Sequence, residues 1–99
     1  MYDIQIARGA EHDLKKLSPF HRGAILDAIE RQLTAEPAKL SRSRKLLIGL
    51  VPPWPAESPV WELRVGDYRV FYDVADDEQV VYIRAVRKKS AGRTTEEIL

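Results

Sequence analysis

Trp61-Glu62-Leu63-Arg64-Val65-Gly66-Asp67-Tyr68-Arg69-Val70-Phe71-Tyr72-Asp73-Val74, followed after a short acidic turn by Gln79-Val80-Val81-Tyr82-Ile83-Arg84-Ala85-Val86-Arg87-Lys88-Lys89, decides the fold. This stretch predicts three antiparallel strands. Apolar and polar residues alternate from Val60 to Val65. Gly66-Asp67 then forms a two-residue turn with glycine first, where a positive φ costs nothing. From Tyr68 onward β-branched and aromatic residues dominate, as strands require. Asp76-Asp77-Glu78 supply a second, solvated turn before the last strand.

If Gly66-Asp67 is the whole loop, Val65 faces Tyr68, Arg64 faces Arg69, Leu63 faces Val70 and Trp61 faces Tyr72. Side chains alternate strictly between the two faces of a sheet. Trp61, Leu63, Val65, Tyr68, Val70, Tyr72 and Val74 then share a core face, and Val81, Ile83 and Ala85 suit it on the last strand. Glu62, Arg64, Arg69, Phe71 and Asp73 share the other face, with Tyr82 and Arg84. Arginines directly opposite on neighbouring strands repel, by ~1–3 kcal/mol at ~6 Å and an effective dielectric between 20 and 80. Either an anion sits between them or Glu62 and Asp73 neutralise them. Two acids facing at least three arginines favour the anion.

The remainder of the chain dresses this sheet. Tyr2 to Ala7 alternates as a strand, with Tyr2, Ile4 and Ile6 on one side. Ala10, Leu14 and Leu17 have the spacing of one helical face. Ser18-Pro19 starts a second helix, since serine caps well and proline suits the first helical position. Its apolar positions Ile25, Ile29 and Leu33 recur every four residues, and it ends before Pro37. Two such helices form a hairpin able to cover one sheet face. Lys45 to Ile48 reads equally as an extended segment or a helical turn. Val51 to Pro59 holds four prolines and Trp54, so it is a semi-rigid loop rather than a central strand. Trp54 either folds back onto the core, the usual fate of a lone Trp, or serves as an exposed anchor. Thr94 and Glu97 have capping-box spacing and predict a helical turn at the end, stable only if Ile98 and Leu99 pack.

The 99 residues suit a single domain over 1–99. The fold expected is α+β: a small, mostly antiparallel sheet with an N-terminal helical hairpin packed on one face, in the order β-α-α-β-β-β with a short C-terminal helical turn. There are no cysteines, which excludes disulfide and thiolate chemistry. No apolar run approaches the ~20 residues of a membrane span, and the N-terminus is not a signal peptide, so a cytoplasmic setting is expected. Net charge is only +1, yet the cations are segregated. Lys39, Arg42, Arg44 and Lys45 form one run without acids; Arg84, Arg87, Lys88, Lys89 and Arg93 form another. A solvated surface explains the first run as well as function does. His12 and His21 lack metal-ligand spacing, and no phosphate loop, serine elbow or paired-carboxylate motif occurs. Convergent Arg and Lys on a sheet suit phosphate binding, or stabilising charge on a phosphate in transfer, with neither metal nor cofactor.

The order of elements resembles the RelE/ParE toxin superfamily of bacterial type II toxin–antitoxin modules. Trp61 to Val74, with Tyr82 to Lys89 behind it, is similar to that family's aromatic–x–Leu–Arg…Tyr–Arg–Val–x–Tyr pattern and its basic exit from the last strand. The likeness spans nearly the whole chain. Its RelE-like branch implies metal-independent mRNA cleavage in the ribosomal A site, by attack of a 2′-hydroxyl. On that resemblance the catalytic cations are Arg69, Arg64 and Lys89. Arg84, Arg87, Lys88, Arg93 and Lys45 are the further cations expected to hold RNA. The implied partners are a cognate antitoxin, the ribosome and mRNA; Trp54, the Pro-rich loop and the terminal helix are expected antitoxin contacts. Oligomeric state, including a homodimer, stays open.

The chain also departs from the family. Glu62 stands where some members have lysine. The C-terminal Tyr or His that several nucleases use for proton transfer has no match; Thr94 and Thr95 occupy that region. Glu62 and Tyr82 are the candidates by type. Two alternatives therefore stand beside the nuclease: a ParE-like, non-enzymatic inhibitor of DNA gyrase, and a degenerate antitoxin-binding module.

Overall fold

A computed structural model describes residues 1–56 and 59–99 of the chain. Its elements are β1 (Asp3–Ile6), α1 (Arg8–Lys15), α2 (Pro19–Leu33), β2 (Arg44–Leu47), β3 (Val60–Val65), β4 (Tyr68–Ala75), β5 (Val80–Lys88) and α3 (Thr95–Ile98). The five strands form one sheet in the order β1-β5-β4-β3-β2, antiparallel except where β1 runs parallel to β5. The fold is thus α+β. Part of the Pro-rich loop, residues 57 and 58, lies outside the described residues.

The hairpin register is the one the two-residue loop dictates. Trp61 pairs Tyr72, Leu63 pairs Val70, Arg64 pairs Arg69 and Val65 pairs Tyr68. Gly66 takes φ +57°, a conformation glycine adopts without a Cβ penalty. The expected helices form as well. Ser18 caps α2 by accepting the His21 amide, with Pro19 at the first helical position. Ala10 and Leu14 of α1 and Ile25, Ala28, Ile29 and Leu33 of α2 bury against Trp61, Leu63, Val70, Tyr72, Val81, Ile83 and Val86.

β5 corrects one expectation. Ala85 does not join the core face; Val86 does. A register shift opposite Phe71/Tyr72 inserts one extra residue, Arg84, into β5. One inserted residue exchanges the faces of every residue beyond it. Ala85 therefore meets Phe71 on the far face, and Arg87 comes to lie opposite Arg69.

The far face is also less open than the sequence predicts. Phe71, Val60 and Ala85 are buried there, under Leu47, Leu50, Trp54, Ile98 and Leu99. Of the two readings of Trp54, packing holds: its ring lies 5.7 Å from that of Phe71. The capping box at Thr94 and Glu97 is formed, and Ile98 and Leu99 supply the packing so short a helix needs.

Lys45 to Leu47 resolves as strand, because Arg44 points inward. Its guanidinium donates to the carbonyls of Lys39 and Gln32. Among the described residues no helix is long and apolar enough to cross a membrane.

Tyr72 joins the two layers to the loop beyond α2. It is fully buried, and its hydroxyl donates to the carbonyl of buried Pro37 at 2.6 Å. Burial pushes its phenol above the ordinary value, offset in part by Arg44. A phenol of raised pKa holds its proton more tightly when folded. Its contribution is therefore complete below about pH 10 and lost above it, as the unfolded state ionises. Tyr72→Phe leaves the Pro37 carbonyl unpaired and should cost about 1–2 kcal/mol at neutral pH. Thermal unfolding at pH 7 and pH 11 checks both points: the variant starts lower and loses less on going to pH 11.

Candidate functional site

The register sets three arginines abreast: Arg64 on β3, Arg69 on β4 and Arg87 on β5. Side by side they would repel, so their side chains diverge. Arg87 reaches around the sheet edge to the Asp13 carboxylate on α1, passing 5.8 Å from the Trp54 ring. Arg69 folds over the hairpin tip and donates to the carbonyls of Gly66 at 3.0 Å and Tyr68 at 2.9 Å. Its Nε lies 4.0 Å from the Glu62 carboxylate. Arg64 is exposed and has no ion pair among the described residues.

Arg69 is therefore not the exposed sheet arginine that alternation implies. It is only 7% exposed. Burial here comes from its own hairpin and from the far-face cover, neither of which a strand pattern reveals. Glu62 is equally enclosed, 7% exposed, and accepts a hydrogen bond from the Thr95 hydroxyl at 3.1 Å. The Arg64–Arg69 neighbourhood is thus balanced by one acid. The other expected acid, Asp73, is fully buried and committed to Arg84, which grips it through two hydrogen bonds of 2.7 and 3.1 Å.

Around this centre the chain closes a pocket of about 170 Å³. Arg64, Arg69 and Glu62 line it from β3 and β4. Lys45 enters from β2, opposite Glu62 in register. Lys89 follows β5, its amide donating to the Asp67 carbonyl at 2.7 Å. Arg42, Ser43 and Thr95 complete the wall. Five cations meet one carboxylate there. Cations clustered this closely raise the local potential that an anion meets. A phosphate entering the pocket replaces mutual repulsion with charge-assisted hydrogen bonds.

Of the cations named from the sequence, Arg64, Arg69, Lys89 and Lys45 come together here. Arg84, Arg87, Lys88 and Arg93 do not line this pocket. Arg84 and Arg87 are held by Asp73 and Asp13. Lys88 lies beside Tyr68 and Lys16 in a separate depression. Arg42, from the first basic run, also lines the pocket, and its place there comes from the chain's path before β2 rather than from any strand pattern. Tyr82 is four residues along β4 from Arg69 by its pairing with Asp73, about 13 Å. The Glu78 carboxylate beside it pushes its phenol up. Glu62 is accordingly the acid–base candidate at the pocket. Among the described residues no three His, Cys, Asp or Glu side chains gather as a metal site would need.

Comparison with known proteins gives a consistent picture. The family model described as the ParE toxin of the type II toxin–antitoxin system parDE matches residues 4–91. No curated protein sequence matches. Among solved structures, the toxin–antitoxin complex RelBE2 from Mycobacterium tuberculosis is similar at 27% identity and a TM-score of 0.68, covering 89% of this chain and 98% of that one. The RelE–RelB complex of the archaeon Pyrococcus horikoshii is similar at 25% identity and a TM-score of 0.69, covering 94% and 98%. The isolated Escherichia coli RelE toxin shares the fold at 18% identity and a TM-score of 0.69, covering 97% and 90%.

Proposed function

The chain belongs to the RelE/ParE superfamily of type II toxin–antitoxin toxins, and on that premise we propose that it is a ribosome-dependent endoribonuclease that cleaves mRNA without a metal. One observation carries this reading. Arg64, Lys89, Lys45 and Arg42 converge on a phosphate-sized pocket with no ion pair among the described residues, around a buried and fixed Arg69. Cations left uncompensated on a sheet cost stability, and a phosphodiester offsets that cost.

In the reaction, a ribose 2′-hydroxyl attacks the adjacent phosphorus. A new O–P bond forms, the bond to the 5′-oxygen breaks, and a 2′,3′-cyclic phosphate remains. Arg64 and Lys89 stabilise the charge growing on the non-bridging oxygens, a role in which a preorganised donor acts mainly on the transition state. Arg69 holds the Glu62 carboxylate and the hairpin tip in place. Glu62 receives the 2′-hydroxyl proton, and the leaving oxygen takes one from water. Thr95 orients Glu62 through their hydrogen bond.

The partner expected is a cognate antitoxin, since two of the similar solved toxins are complexes with one. The Pro-rich loop and α3 remain the proposed contacts, with Trp54 available only through the part of its ring not packed on Phe71. A second reading, inhibition of DNA gyrase without catalysis, is favoured by the engagement of Glu62 with Thr95 and Arg69. Primer extension on mRNA bound to programmed ribosomes separates the two. Discrete cleavage in the A-site codon is the expected result. Intact mRNA together with blocked supercoiling would assign the chain to gyrase.

A further inference from the structure

Three rings gather on the helix side of the same hairpin tip. His21 lies 5.4 Å from Phe20 with the ring planes at 83°, and 5.3 Å from Tyr68 at 56°. Neither pair is stacked face to face. Phe20 is 79% exposed, unusual for a large apolar side chain at the start of a well-packed helix. With Ile25 and Val65 the rings line an open cavity of about 330 Å³, which also includes Asp67. One His21 ring nitrogen, Nδ1, is engaged by the Ser18 hydroxyl at 2.9 Å, which leaves the other to meet a ligand.

Asp67 is the one formally charged residue lining this cavity, and the cations stand beside it rather than in it. Tyr68 also lines a neighbouring depression with Lys16 and Lys88. The acid in that depression, Asp13, is consumed by Arg87 and by the Val86 amide. On the opposite face of the hairpin lie Arg64 and Lys89, the latter tied to the Asp67 carbonyl. Rings flanked on both sides by cations fit a single nucleic-acid strand, whose bases stack on aromatics while lysines follow the phosphates. An apolar peptide side chain would use the rings but not the lysines.

We propose that this cavity is a nucleobase subsite: an unpaired RNA base stacks on Phe20 beside His21 and Tyr68, and its flanking phosphate is held by Lys16 and Lys88. The subsite rests on the ribonuclease reading above. An RNA strand crossing the Gly66-Asp67 tip would reach both it and the cation pocket.

The test is binding of a fluorescent oligoribonucleotide, 2′-O-methylated so that it is not cleaved, on programmed ribosomes over a range of salt. Phe20→Ala should weaken binding about 5- to 150-fold, the loss of one stacked base, with its salt slope unchanged. Phe20→Trp should restore it. Lys16→Ala should instead flatten the slope by about 0.7, one phosphate contact. Phe20 is exposed, so these variants keep the fold. Wild-type binding by Phe20→Ala, with Arg64→Ala defective, overturns the subsite and leaves the ribonuclease reading standing. Loss of antitoxin binding by Phe20→Ala without loss of RNA binding assigns the cavity to a protein and overturns it too. No binding by the wild type removes both.

Discussion

Replacing Arg64 by alanine should lower mRNA cleavage about 10²–10³-fold, the effect of removing one preorganised charge-stabilising donor, while the melting temperature hardly moves. Both halves follow from where the side chain sits. Arg64 is exposed and has no ion pair among the described residues, and its backbone amide donates to Ser43 whatever the side chain is. The fold therefore loses little with it, and relief of repulsion from Arg69 works in its favour. The pocket loses a cation able to reach an incoming phosphate. Arg64→Lys should recover only part of the rate, because lysine does not reproduce the planar fork. Single-turnover cleavage on programmed ribosomes, with thermal unfolding alongside, checks both.

Arg69→Ala should behave differently: it should lose activity and stability together. Its guanidinium satisfies the Gly66 and Tyr68 carbonyls and stands beside the enclosed Glu62 carboxylate. Removing it leaves two carbonyl acceptors without their donor and an enclosed carboxylate without its ion-pair partner. Hydrogen bonds to charged groups contribute about 1.5–3 kcal/mol each. Relief of the Arg64 and Arg87 repulsion offsets part of this. A net loss of about 2–4 kcal/mol is expected, a fall in Tm of roughly 10–20 °C for a domain of this size. Cleavage should fall at least as far as in Arg64→Ala even at temperatures where the variant is folded. Thermal unfolding decides the structural part: an Arg69→Ala protein as stable as wild type contradicts the anchoring role.

The sequence makes the hairpin legible because two independent signals agree on it. Gly66-Asp67 fixes the loop length, and the alternation of Trp61, Leu63 and Val65 against Tyr68, Val70 and Tyr72 fixes the faces. The core of α1 and α2 was legible for the same kind of reason, since Leu14, Ile25, Ile29 and Leu33 recur at helical spacing. Ala85 was not legible. The bulge at Arg84 carries no glycine to mark it, and one unmarked residue reverses the faces beyond it.

Charge partners were the other blind spot. Arg87 finds Asp13 from 74 residues away and Arg84 finds Asp73 across β4 and β5. Pairs of this kind depend on tertiary placement, so a run of cations in the sequence does not say which are free. The burial of Arg69 is hidden likewise, because it needs the hairpin carbonyls and the α3 cover at once. What survives from the sequence is the cluster itself: Arg64, Arg69, Lys89 and Lys45 do meet, with Arg42 added.

The central claim is that this pocket positions a phosphodiester of mRNA for attack by its own 2′-hydroxyl. The most direct measurement is cleavage by the purified wild-type chain on ribosomes programmed with two messages identical but for the A-site codon, one all-ribose and one with a 2′-deoxy sugar at the expected cleavage position. Scission of the first to a 2′,3′-cyclic phosphate, with the second left intact and Arg64→Ala inactive on the first, is the result predicted. Both messages left intact, while the same preparation blocks supercoiling by DNA gyrase, would contradict it.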